Sequence, residues 1–140
     1  MIVLDTNVVS EMMRTQPDSN VYGWLESSNS NEIALSVVSI AEIKKGLNLL
    51  PDGKRKVTLE TQFEAVLETG FLGRILSFGR AEAATFGALA ADRKKAGVNT
   101  GDFDLMIAAT AKEHRAIVAT RNTKDFKGCG VAIINPWLTA

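Results

Sequence analysis

The sequence predicts an α/β fold built on a parallel central sheet, and three observations carry that expectation. Short apolar runs alternate with longer segments of helical period, the pattern of successive βαβ units. The chain has 140 residues, the length of one ordinary domain, and no repeat, low-complexity stretch or long linker divides it, so residues 1–140 are expected to form a single domain. Acidic residues recur just after the apolar runs, at the edge where an open α/β sheet binds its ligands.

In chain order, the first strand is read at Ile2 to Asp5, an apolar run closed by a carboxylate. A helix over Val8 to Arg14 and a short helical turn around Tyr22 to Leu25 follow. The β-branched start of Ile33 to Ser36 marks the second strand, and Ser39 to Leu50 the next helix. "LLPDGKRK" then punctuates the chain, because Pro51, Asp52 and Gly53 are turn residues between two helical segments. A helix is read over Lys56 to Thr69, a third strand at Ile75 to Phe78, and a helix over the alanine-rich Ala81 to Ala96. The last predicted helix, Phe103 to Arg115, leads into strands at Ala116 to Thr120 and Ala132 to Asn135.

The composition, 46% hydrophobic and 23% charged, is that of a globular protein, and no apolar run approaches the roughly 20 residues of a membrane span. The start lacks a basic segment and meets Asp5 and Asn7 too early for a secretion signal, so a cytoplasmic location with no membrane partner is expected. One cysteine, Cys129, and one histidine, His114, rule out an internal disulfide and a Cys/His zinc site. His114 reads as structural, near a helix C-terminus, and Trp24 and Trp137 as core or interface anchors. Basic and acidic residues balance at 16 each, so nucleic acid would have to be held by local patches. The candidates are Lys44 and Lys45; Lys54, Arg55 and Lys56; Arg93, Lys94 and Lys95; and Arg121, Lys124 and Lys127. Each reads first as a solvated helix face or loop end.

Asp5, Glu42, Asp102, Asp104 and Asp125 all fall on one predicted edge. Carboxylates that converge repel one another unless a cation neutralises them, and hard oxygen donors select Mg²⁺ or Mn²⁺. Phosphodiester hydrolysis is the chemistry such a site suits. Each acid has a structural alternative. Asp5 can cap the following helix, and "SIAE" makes Glu42 the N3 acid of a capping box. In "TGDFDLMIAATA" either Thr100 or Asp102 can cap, whereas Asp104 has no obvious partner. "ATRNTKDF" brings Thr120, Arg121, Asn122, Lys124 and Asp125 to a strand end, as holders of metal waters or phosphate or simply as a turn.

The stretches "IVLDTNVVSEMMR", "ALSVVSIAEIKKGL", "FDLMIAATAKEH" and "AIVATRNTKDFKGCGVAIINPW" together resemble PIN-domain ribonuclease toxins of the VapC type, in the FitB-like branch. The resemblance spans essentially the whole chain. It implies a three-layer α/β/α sandwich with a mostly parallel sheet of four to five strands. It also implies a Mg²⁺- or Mn²⁺-dependent endoribonuclease in which metal-activated water hydrolyses RNA, a homodimer, and a cognate antitoxin that binds DNA. By position it assigns the metal-binding, catalytic roles to Asp5, Glu42 and Asp104, and supporting polar roles to Thr6, Asn7 and Thr120. For a ribonuclease, Lys44, Lys45, Arg121 and Lys124 are candidates to grip RNA phosphates. The chain departs from many such relatives at Asn122, where they carry a fourth acid; Asp125 stands three residues on. Asp102 is an extra acid beside Asp104, either a substitute for that charge or a helix cap.

Two other enzymatic readings are weaker. A haloacid-dehalogenase-type phosphatase needs D-x-D, and the third position here is Asn7. A nucleotide-binding module needs a glycine-rich loop that follows no strand of this chain. The reading from a different class is a catalytically weak module that acts chiefly through its antitoxin complex on DNA.

Overall fold

Apolar tripeptides and tetrapeptides make the centre of the molecule. In the computed structural model, which describes residues 1–71 and 74–138, β1 (Ile2–Leu4) pairs with β2 (Ile33–Ser36) on one side and β4 (Ile117–Ala119) on the other. β3 (Ile75–Leu76) and β5 (Ile133–Ile134) form the edges, in the order β3-β2-β1-β4-β5. All four pairings are parallel, and Ile2 stands opposite both Ile33 and Ile117.

Side chains of successive strand residues leave opposite faces, which divides the core in two. Val3 and Val118 join a cluster with Leu89 of α5 (Arg80–Lys95), Ile107 of α6 (Asp102–Glu113) and Phe126 of α7 (Thr123–Phe126). Leu4, Leu35 and Ala119 join the other cluster. There they meet Val8 and Val9 of α1 (Thr6–Met12), Val21 of α2 (Ser19–Ser27), Ile43 of α3 (Val37–Leu49) and Phe63 of α4 (Lys54–Ala65). Burial on both faces explains why the central strands read as continuous apolar runs rather than as alternating ones. The result is the three-layer α/β/α sandwich, with a five-stranded sheet. Among the described residues no helix is long and apolar enough to cross a membrane.

Boundaries differ from the expected ones where caps decide them. Ser36 caps α3 by accepting the Val38 amide at 3.0 Å, so the helix begins at Val37 and not at Ser39. Glu42 then lies in the second turn, and the capping-box reading of "SIAE" falls away. Asp18 caps α2 through the Asn20 and Val21 amides, extending the expected turn into a nine-residue helix. Its serines and Gly23 are weak helix formers, which hid it in the sequence. The expected helix to Thr69 is regular only to Ala65 and continues as a π-helical turn, Val66–Gly70. β3 and β5 are two-residue strands because each meets only the last two residues of its neighbour. α7 replaces an expected turn. Gly53 (φ 148°) makes the bend before α4 in a conformation that side chains disfavour.

Candidate functional site

The strand order reverses between β1 and β4, so the connections from these neighbours leave in opposite directions and open a crevice at their carboxyl ends. Asp5 and Thr120 are the residues that follow the two strands. The Asp5 amide donates to the Ala119 carbonyl at 2.9 Å, and the Thr120 hydroxyl donates to Asp5 Oδ2 at 2.7 Å. Asn7 Nδ2 donates to the same oxygen at 3.1 Å, while Asp5 Oδ1 accepts the Thr6 amide at 2.8 Å. Asp5 therefore caps α1 and faces the crevice at once, only 2% exposed. The Asn122 amide donates to Thr120 Oγ1 at 3.0 Å and the Arg121 amide to Asn7 Oδ1 at 3.4 Å, which ties the two chain segments together.

A cleft of about 500 Å³ opens there, and Asp5, Asn7, Glu42, Asp104, Arg121 and Asn122 are on its walls. Burial pushes the Asp5 carboxyl above the usual range. The Thr120 hydroxyl and the Thr6 amide oppose that shift, and the charges of Glu42 and Asp125 add to it. Asp104 is raised to about 6, first by burial and then by Asp5, Asp125 and Glu42. The charges of Glu42 and Asp125 thus act on both Asp5 and Asp104. Among the described residues no three acidic, His or Cys side chains are drawn to metal-ligand spacing, so the acids surround an open space.

The remaining candidates divide. Asp102 faces away, into a separate cavity of about 400 Å³ beside Arg93 and Thr100, and is not among the charges that raise Asp104. Neither Thr100 nor Asp102 caps α6, whose N-cap position is Gly101 and which has no side-chain cap. Asp125 is brought within electrostatic reach by α7. Arg93, 9% exposed, fixes that segment by donating to the carbonyls of Lys127 and, at 2.9 Å, Asp125, and to Thr100 Oγ1 at 3.1 Å. Arg93 is therefore a buried tether and not part of a surface patch. Lys44 is paired with Glu64 over the Phe63 ring, which takes it from the set of free phosphate grips. Trp137 is on the cleft wall, with the Arg121 guanidinium 5.2 Å from its ring centre. The sequence reading missed Glu11, 6% exposed in the same wall, which accepts the Asp18 amide at 2.9 Å and pairs with Arg14 at 3.4 Å. Its signal was an acid three residues after Val8, on the buried face of a helix.

Thr120→Val is expected to lower stability by about 1–3 kcal/mol in urea denaturation, because it removes the donor to a buried carboxylate and the acceptor of the Asn122 amide. Thr120→Ser keeps both bonds and should lose much less. A larger loss in Thr120→Ser than in Thr120→Val would mean that the methyl group, not the hydroxyl, holds the site.

A family model described as PIN domain matches residues 2–129. The chain belongs to the PIN domain family. This PIN domain is 42% identical over 137 residues to the toxin FitB of Neisseria gonorrhoeae, covering 98% of this chain and 99% of that protein. It is 39% identical over 137 residues to the VapC ribonuclease Y4jK of Sinorhizobium fredii, with 98% of each chain covered. Among solved structures, FitAB bound to an IR36 DNA fragment matches it with a TM-score of 0.90 and 41% identity, over 100% of this chain and 98% of that one. Membership in the PIN domain family sets aside the phosphatase and nucleotide-binding readings.

Proposed function

We propose that this PIN domain is the toxin of a toxin–antitoxin pair and an endoribonuclease that hydrolyses RNA phosphodiesters with Mg²⁺ or Mn²⁺ in the cleft. One observation carries the proposal: Asp5, Glu42 and Asp104, from three separate elements, share a crevice in which their charges oppose one another. An all-oxygen donor set suits a hard divalent ion, and such an ion offsets both the burial and the neighbouring charges that raise Asp104 to about 6. When bound, the ion would supply Lewis-acid stabilisation of phosphoryl charge and lower the pKa of a water, so that its deprotonated form could attack.

The chain's own residues orient and bind. Thr120, Asn7 and the Thr6 amide hold the Asp5 carboxylate in one orientation. Asp104 makes no hydrogen bond among the described residues, so both its oxygens are free for ligation. Glu42 completes the acidic wall from α3. Arg121, stacked on Trp137 and exposed, contacts a substrate phosphate at the rim. The support for RNA as substrate is the kinship with a named VapC ribonuclease.

A DNA-binding antitoxin is the proposed protein partner, in line with the related FitAB complex on DNA. Self-association to a homodimer is proposed with it. Leu49 and Val57 leave large apolar side chains exposed on α3 and α4. Sedimentation at micromolar concentration should give twice the 15.1 kDa chain mass, and a species of single mass would remove the dimer.

The test of the activity is single-turnover cleavage of a labelled RNA by protein stripped of metal, with Mg²⁺ or Mn²⁺ added back. Cleavage that requires the ion is the expected result. Cleavage of equal rate in excess chelator would defeat the proposal.

A further inference from the structure

The acidic cleft opens at Thr6, Ser10, Arg14 and Glu42 into a larger groove of about 1060 Å³. One wall follows α3 from Glu42 to Leu47, more than a full helical turn, and the other is the start of α4 with Lys54, Arg55 and Thr58. The charge changes sign along this path. Among the described residues that line it, Glu42 is the single carboxylate, at the junction, and Arg14, Lys54 and Arg55 are the cations beyond it.

Arg14 is engaged by Glu11 at 3.4 Å, and Lys56, just outside the groove, by Asp52 at 3.5 Å. Lys54 and Arg55 are exposed and, among the described residues, make no hydrogen bond or ion pair. Their setting is unfavourable for the isolated chain, because basic residues in the first turn oppose the helix dipole. α4 has no acid in that turn and no side-chain cap to offset them. An anion laid in the groove relieves that conflict. An acidic cleft, for its part, repels a polyanion, so attraction must come from beside it.

We infer that the groove between α3 and the start of α4 carries the RNA strand that flanks the scissile phosphodiester, with Lys54 and Arg55 on its phosphates. The inference rests on the ribonuclease reading of the adjoining cleft. Ile43, Leu47 and Leu59 give the groove an apolar floor for sugar and base faces, and Thr58 and Gln62 give it hydrogen-bonding edges. Phosphate contacts of this kind set the register of the strand and carry no base preference.

The test is fluorescence anisotropy of a labelled single-stranded oligoribonucleotide with the full chain in chelator, repeated over a range of salt. The Lys54→Gln, Arg55→Gln double variant should bind roughly tenfold more weakly, with a log–log salt slope shallower by about 1.4 for two lost phosphate contacts. Lys56→Gln makes the same kind of charge change outside the groove and should keep the wild-type slope. A double variant with the wild-type slope, or a Lys56→Gln slope changed as much as by either groove substitution, overturns the inference and leaves the groove to a polypeptide. The readout is binding alone. Failure of the ribonuclease reading would instead show as cleavage that survives Asp104→Asn, whatever the salt slope.

Discussion

Asp104→Asn is expected to lower metal-dependent RNA cleavage by about a hundredfold or more, measured in single turnover, with the fold intact. The substitution keeps the shape of the side chain and removes its charge. Asp104 makes no hydrogen bond among the described residues, so no buried partner is stranded. The loss of a negative charge in the first turn of α6 costs only a few tenths of a kcal/mol through the helix dipole, and relief from Asp5, Glu42 and Asp125 offsets it. Asp5→Asn is the less informative variant. Its Oδ2 accepts both the Thr120 hydroxyl and the Asn7 amide, and an amide nitrogen in that position would meet two donors. Activity lost there could reflect a disturbed cleft. Cleavage retained by a folded Asp104→Asn protein would take Asp104 out of the reaction.

The second large effect is on stability, through pH and metal together. The folded Asp104 carboxyl titrates near 6, and in an unfolded chain it would titrate near 3.9. Between these values the folded state binds more protons, so stability falls as pH rises from about 4 to about 6 and stays lower above. Asp5 is shifted in the same direction. The metal-free protein should accordingly melt at higher temperature near pH 5 than near pH 7, and Asp104→Asn should flatten that difference. At pH 7, Mg²⁺ or Mn²⁺ at a hundred times its dissociation constant should add about 2.7 kcal/mol to the wild type and much less to the variant. Thermal denaturation with and without chelator reads both effects. A divalent ion that stabilises neither protein would mean that the acids hold no cation.

The architecture was visible in local pattern. Runs such as Ile2–Leu4 and Ile33–Ser36 are apolar throughout because a parallel strand is covered on both faces, and that requirement is written residue by residue. The resemblance of four motifs extended the reading to Asp5, Glu42 and Asp104. From spacing alone Glu42 was undecided, because "SIAE" also fits a capping box, and only the packed helix, which starts at Val37 behind a Ser36 cap, sets that alternative aside.

What local pattern lacked was the third dimension at the site. Asp102 and Asp104 are neighbours in sequence, yet two residues of α-helix turn the chain by about 200°, and the pair separates into two cavities. Asp125 comes within electrostatic reach of Asp5 and Asp104 on α7, whose backbone is held by Arg93 from a distant helix. Thr120 meets Asp5 because β4 lies beside β1, a strand order that no stretch of residues encodes separately. Helix and strand periods follow from forces between near neighbours in the chain. The meeting of like charges, which gives the cleft its chemistry, depends on which elements pack together, and the whole hydrophobic core settles that at once.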